Sequence, residues 1–275
     1  MTVGLLLGAA GLAAGAFGSL LGLGGGILIV PLLTVVFGVP FRVAVGVSLV
    51  CVIVTSSAAA GIYLERRVAN LRLGMLLELF TASGALVGGL VAFMLPDRVL
   101  AGLFAALLAY TAWSMVRRRS AGPADAEPPA DEPAADAPPE SAFRAALHGP
   151  GYRTSRLGAG MAGSVGAGLV SALLGVGGGI VKVPLMHLVM GVPLRVATAT
   201  SNLMIGVTAA ASAVIYLLRG GIDPYVAGPT AVGVYCGAYL GARLAPRINV
   251  RYLRVLFVGV LALTAVEMVA RAAGA

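Results

Sequence analysis

Length, composition and charge exclude a soluble globular protein. The chain has 275 residues, of which 59% are hydrophobic and 11% are charged, and its mean hydropathy is +0.97. Soluble domains carry about 25% charged residues, so this chain has too little charge to cover a water-facing surface. Apolar runs long enough for membrane helices recur along it, which predicts an all-α polytopic membrane protein.

The apolar runs come in two sets of five. The first set covers residues 3–21, 27–39, 43–64, 73–95 and 99–116, and the second covers 157–174, 180–192, 196–218, 224–242 and 252–270. The intervening segment 118–156 holds six acids and six prolines between positions 121 and 141 and no base there. This composition predicts a disordered, acidic, Pro/Ala-rich cytoplasmic linker. It separates a first transmembrane repeat, 1–117, from a second, 157–275.

The two sets are copies of one unit. A shift of 153 positions, without gaps, aligns Leu21–Ile27 with Leu174–Ile180, and 18 of the 29 positions from Leu20 to Ser48 are identical to their counterparts. Shared membrane composition does not produce that level of identity. The sequence therefore contains an internal duplication.

Arginines predict how the repeats are oriented. Lys182 is the chain's single lysine, and the arginines lie mainly between apolar runs, fourteen on one side and four on the other if the repeats are inverted. Positive residues stay in the cytoplasm. We therefore expect two inverted-topology repeats, each with about four spanning helices plus a short glycine-broken half-helix, an architecture typical of secondary transporters.

Two glycine triplets precede the two shortest runs. The triplets are Gly24, Gly25, Gly26 and Gly177, Gly178, Gly179. The runs after them have 13 residues, about 20 Å of helix, which is too short to cross a hydrocarbon core of about 30 Å. A half-helix starting at a glycine turn points free N–H groups inward and favours an anion. The alternative is that the glycines only allow helices to cross closely.

A few polar side chains lie within the apolar runs. Lys182 follows the second triplet, and an ionisable residue at that depth usually faces a cavity or a partner, although its side chain could instead reach the interface. Ser201 and Asn202 follow on the next helix as candidate ligand contacts, or as packing residues. Glu78 could carry a proton or pair with an arginine near the inner interface, and pairing is the favoured prediction.

The duplicated pattern G-x-G-G-G-x-x-x-x-Pro, then Gly-x-Pro-x-x-Ala and a serine-containing helix, resembles the TauE/SafE family of sulfite and organosulfonate exporters. The resemblance covers nearly the whole chain outside the linker. It implies a permease for small sulfur-containing anions. The motif residues it carries over are Gly24, Gly25, Gly26, Pro31 and Ser48, with Gly177, Gly178, Gly179, Pro184 and Ser201.

The predicted function is transport of a small anion by alternating access, and the alternative is a passive anion channel. No enzyme motif such as H-E-x-x-H or G-x-S-x-G is present, so we expect neither an enzyme nor a cofactor or metal. The expected partners are a small anionic substrate and the lipid bilayer, not nucleic acid. We expect a multi-pass protein of the cell membrane, the inner membrane in bacteria.

Overall fold

A computed structural model describes residues 2–21, 26–65, 69–117, 147–148, 152–244 and 250–273, and within these ranges the chain is helical, without strands. The helices of the first half are α1 Thr2–Leu21, α2 Gly26–Pro31, α3 Phe41–Glu65, α4 Leu71–Met94 and α5 Asp97–Arg117. Those of the second half are α6 Leu157–Leu174, α7 Gly179–Pro184, α8 Leu194–Leu218, α9 Pro224–Leu244 and α10 Val250–Ala273.

Equivalent helices have equivalent bounds. Helices α2 and α7 begin and end 153 positions apart, and so do α3 and α8. Helices α4 and α9, and α5 and α10, begin at the same offset. The sequence duplication is therefore matched by a duplicated set of helices. The opposite orientation of the repeats and the division at the linker stay predictions, because most of segment 118–156 lies outside the described residues.

Helices α2 and α7 are short, as the glycine motifs predicted. Each continues through one π-helical turn, Leu32–Val36 or Leu185–Val189, to a total length of about 16 Å. The turns follow Pro31 and Pro184, which lack the N–H that would continue the regular hydrogen-bond ladder. Both helices stop about three residues before the predicted runs end. The chain turns there through a glycine with positive φ, 65° at Gly38 and 73° at Gly191.

The first helix of each half packs against the fourth helix of the other half. These contacts are α1 with α9 and α4 with α6. A Cβ atom on Gly168 would lie 1.9 Å from the Thr81 carbonyl oxygen, and one on Gly84 would lie 2.1 Å from that of Val165. The backbones of α4 and α6 are therefore nearly in contact, which is how small residues join membrane helices.

Helices α3 and α8 connect the two halves at the centre. They pack against each other, and each also contacts its own short helix, α2 or α7. Helix α4 packs against α8, and α9 packs against α3 in the equivalent way. This arrangement brings the two short helices to the interface between the repeats.

Five helices among the described residues are long and apolar enough to cross a membrane. The segments are Thr2–Ser19, Phe41–Ala58, Leu71–Met94, Leu157–Leu174 and Leu194–Leu218. They establish a multi-pass membrane protein of the all-α class. Spanning by α5, α9 and α10 stays a prediction.

Candidate functional site

The two glycine motifs meet between the repeats. A Cβ atom on Gly26, the first residue of α2, would lie 2.8 Å from the Gly175 carbonyl oxygen at the end of α6. Ser48 Oγ on α3 lies 2.7 Å from that oxygen and 3.2 Å from the Gly26 carbonyl oxygen. Ser48 therefore joins the motifs through a hydrogen bond to backbone. Gly24 and Gly25 lie outside the described residues, so their role in binding stays a prediction.

The second motif needs glycine for its backbone conformation. Gly177 and Gly178 have φ values of 78° and 77°, a left-handed conformation that is costly for residues with a Cβ. Gly178 caps α7, and its carbonyl accepts the N–H of Lys182 at 3.0 Å. The turn thus starts α7 at Gly179 and directs Lys182 into the bundle from the first turn of the helix.

Lys182 forms a buried ion pair with Glu78 of α4. Its Nζ lies 3.0 Å from Glu78 Oε2 and 2.5 Å from Thr208 Oγ1 of α8. The Thr208 hydroxyl in turn lies 2.6 Å from Glu78 Oε1. Lys182 is 1% exposed and Glu78 is 7% exposed, so both charges are sheltered from water. This cluster of Lys182, Glu78 and Thr208, here the charged cluster, joins three helices.

The partner of Glu78 differs from the one predicted. Pairing is confirmed, but pairing with an arginine near the inner interface is wrong, because Glu78 is bound by Lys182 inside the bundle. The physical reason is electrostatic. A lone charge is expensive in an apolar interior, and two opposite charges lower that cost when they meet.

Two serines close to the start of α7 have unsatisfied hydroxyls. Ser171 Oγ and Ser201 Oγ are buried and have no hydrogen-bond partner among the described residues. A Cβ atom on Gly178 would lie 3.3 Å from Ser171 Cβ and 3.5 Å from Lys182 Cε, and one on Gly179 would lie 3.6 Å from Ser201 Oγ. Buried hydroxyls normally have partners. Two unsatisfied ones beside a lysine and a glycine turn make this a candidate ligand site.

Asn202 lies on the side of α8 that faces α3. Its backbone carbonyl accepts a hydrogen bond from Ser56 Oγ at 2.6 Å, and a Cβ atom on Gly206, one turn later, would lie 2.8 Å from the same hydroxyl. The structure therefore does not group Asn202 with the charged cluster. Its role in binding stays a prediction.

Thr208 and Ser171 were not among the predicted site residues. Thr208 could have been identified from the sequence, because Ser201, Thr208 and Ser212 lie on one face of α8. Glu78 and Lys182 could have been identified by another pattern, since they are an acid and a base that both lie well inside apolar runs. Ser171 has no such signal, because a serine within a membrane helix often bonds to its own backbone.

The equivalent serines Ser48 and Ser201 are expected to respond differently to alanine. Ser48→Ala removes the hydrogen bond to Gly175 and should lower the free energy of unfolding by about 1 kcal/mol or more. Ser201→Ala loses no protein hydrogen bond and should change it by less than about 0.5 kcal/mol. Equilibrium unfolding of both variants in detergent measures the difference. Equal losses would show that Ser201 has a structural partner.

Comparisons with known proteins agree on one class. The family model described as "Sulfite exporter TauE/SafE" matches residues 7–268. A Bacillus subtilis (strain 168) protein named "Probable membrane transporter protein YunE" is 27% identical over 248 residues, which are 88% of each chain. One named "Probable membrane transporter protein YdhB", from the same strain, is 24% identical, covering 83% of this chain and 86% of its own.

A longer relative matches as well. The Magnetospirillum gryphiswaldense (strain DSM 6361 / JCM 21280 / NBRC 15271 / MSR-1) protein named "Probable membrane transporter protein MamO" is 28% identical over 95% of this chain and 44% of its own length. No solved structure matches. Because the family model covers nearly the whole chain, this protein belongs to the TauE/SafE sulfite exporter family of membrane transporters.

Proposed function

We propose that this transporter carries a small anion, a sulfur-containing oxyanion such as sulfite or an organosulfonate, by alternating access around Lys182. The observation that carries the proposal is the group of buried donors at the start of α7: the Lys182 ammonium with the unsatisfied hydroxyls of Ser171 and Ser201. The family's description as a sulfite exporter supports the same substrate class.

The chemistry of the site suits an oxyanion. A sulfite or sulfonate group presents three oxygens that accept hydrogen bonds and carries a negative charge. The Lys182 ammonium has three N–H donors, of which Glu78 and Thr208 accept two. The third N–H and the two serine hydroxyls could each bind an oxygen.

Burial of the site supports a carrier. Lys182 is 1% exposed and Ser201 is 0% exposed, so a solute reaches them only if helices move apart. The helices around them come from both repeats, since α4 belongs to the first and α7 and α8 to the second. Movement of one repeat against the other would open this site to one side at a time, whereas a passive channel needs a continuous path.

Counterflow in proteoliposomes tests the proposed function. Liposomes loaded with one unlabelled compound should take up the same labelled compound from outside, tested with the anions sulfite, sulfate, sulfoacetate and thiosulfate and with zwitterionic taurine. We expect at least one sulfur oxyanion to accumulate, because a carrier exchanges substrate across the membrane. Liposomes without protein are the control. Transport of a cation or neutral solute and of none of the five would contradict the anion proposal, and anion conductance without counterflow would indicate a channel.

A further inference from the structure

The charged cluster is confined to one of two equivalent positions in the fold. At the same offset of 153 positions, Lys182 corresponds to Ile29 and Glu78 to Ala231, whereas Thr208 corresponds to Thr55. Ile29 on α2 is completely buried, and α2, α3 and α9 pack in the same scheme as α7, α8 and α4. The equivalent group of helices, α2, α3 and α9, therefore packs in the same way without either charge. A buried ion pair is also weak evidence for stability, so this one calls for a functional reason.

The geometry allows Glu78 to change its protonation state. Thr208 presents its hydroxyl to both charges, donating to Glu78 Oε1 at 2.6 Å and accepting from Lys182 Nζ at 2.5 Å. The Met204 carbonyl oxygen, 3.1 Å from Thr208 Oγ1, is a second acceptor for the same proton. Thr208 can therefore donate to a carboxylate, or turn its proton to Met204 and accept from a protonated carboxyl group.

We propose that Glu78 binds one proton when a substrate anion takes its place beside Lys182, so that anion and proton bind together. This inference rests on the proposed function. Before binding, the carboxylate and the ammonium cancel. When the anion pairs with the ammonium, the released Glu78 oxygen gains a proton from solution, forming an O–H bond and a neutral carboxyl group. For a monovalent anion the site stays neutral throughout, and no uncompensated charge is left in the apolar interior.

Other titratable groups lie on the helices packed around the pair, but none is hydrogen-bonded or ion-paired to Glu78 or Lys182 among the described residues. Those on the packed elements are Arg72 on α4, His187 after α7, Arg195 and Tyr216 on α8, and His148, Tyr152, Arg153 and Arg156 before α6, while α6 itself has none. In the part of the chain that the structure describes, the side-chain hydrogen bonds and the ion pair of Glu78 and Lys182 involve only each other and Thr208. Proton uptake at the site therefore points to Glu78.

Proton uptake by the unmodified protein is the first measurement. The probe is ethanesulfonate, a monovalent sulfonate that does not titrate near neutral pH. Calorimetric titration in buffers of different ionisation enthalpy should give about one proton taken up per anion bound, with affinity falling about tenfold for each unit rise in pH. A carboxylic-acid C=O band should appear in the infrared difference spectrum on adding the anion.

The variant Glu78→Gln tests whether Glu78 is the group that takes up the proton. This variant should bind ethanesulfonate with an affinity that varies less than about twofold across the same pH range, and the infrared band should be absent. Glu267→Gln, a control in α10 away from the cluster, should keep both the proton uptake and the band. Anion binding without proton uptake, or a band that persists in Glu78→Gln, overturns the inference and leaves the proposed function intact. If neither ethanesulfonate nor any of the five sulfur compounds binds, the proposed function fails and the inference fails with it.

Discussion

Lys182→Ile alone is expected to lower the free energy of unfolding by about 3–5 kcal/mol, because Glu78 loses its cation and must either stay charged in an apolar interior or bind a proton in order to remain buried. The carboxylate is 7% exposed, and its Oε2 lies 3.0 Å from Lys182 Nζ. Only the hydrogen bond from Thr208 to Oε1 would remain. Equilibrium unfolding in detergent micelles measures the loss.

The matched control is the double variant Glu78→Ala with Lys182→Ile, which places at this site the residues found at the equivalent positions, Ala231 and Ile29. Removing both charges leaves no uncompensated group, and such replacements are often neutral or stabilising. The double variant should therefore recover most of the stability that the single variant loses. An equal loss in both variants would mean that the pair is needed for folding, which would contradict a purely functional reason for it.

The same double variant separates folding from transport. It is expected to fold and to lose counterflow of the substrate anion, because the site no longer has a cation. Retained counterflow in the folded double variant would show that the anion binds elsewhere. Such a result would remove Lys182 from the proposed site.

The second large effect is expected at the contact of α4 with α6. Gly168→Ala should lower the free energy of unfolding by about 1–3 kcal/mol, because its Cβ would lie 1.9 Å from the Thr81 carbonyl oxygen and 2.8 Å from the Ala85 nitrogen. Both are backbone atoms, so the helices themselves must separate to make room. Thermal or denaturant unfolding in detergent gives the measurement.

Gly166→Ala is the control on the same helix. A Cβ atom there would meet no atom within 4 Å, while alanine favours a helix over glycine by up to about 1 kcal/mol. The two substitutions, two residues apart, should therefore change stability in opposite directions. Destabilisation of similar size by both would show that glycine is needed for another reason than close helix packing.

Much of the fold followed from sequence because its causes are local or repeated. Low charge and long apolar runs predicted a helical membrane protein, and the gapless duplication predicted matched helices, which α2 with α7 and α3 with α8 display. The glycine triplet and the proline after it predicted two short helices. The predicted ends of these two helices were wrong, because Gly38 and Gly191 adopt positive φ values and each helix stops before them.

The site was less accessible to sequence reasoning because its contacts are distant in the chain. Residues 78, 182 and 208 share no local pattern, and the ion pair joins residues 104 positions apart. Ser48 and Ser201 occupy equivalent positions, yet one is hydrogen-bonded between two motifs and the other has an unsatisfied hydroxyl. Periodicity describes one helix at a time, whereas these differences depend on which helices become neighbours.

The low charge of the chain by itself determined that this protein lies in a membrane, and the position of its single lysine marked a place of interest. Only the tertiary structure decided that this lysine is neutralised by Glu78, with Thr208 hydrogen-bonded to both. The physical reason is that burial and charge compensation belong to the assembled bundle. An ionisable side chain pairs with a residue on whichever helix packs beside it, and the sequence of its own helix does not predict that residue.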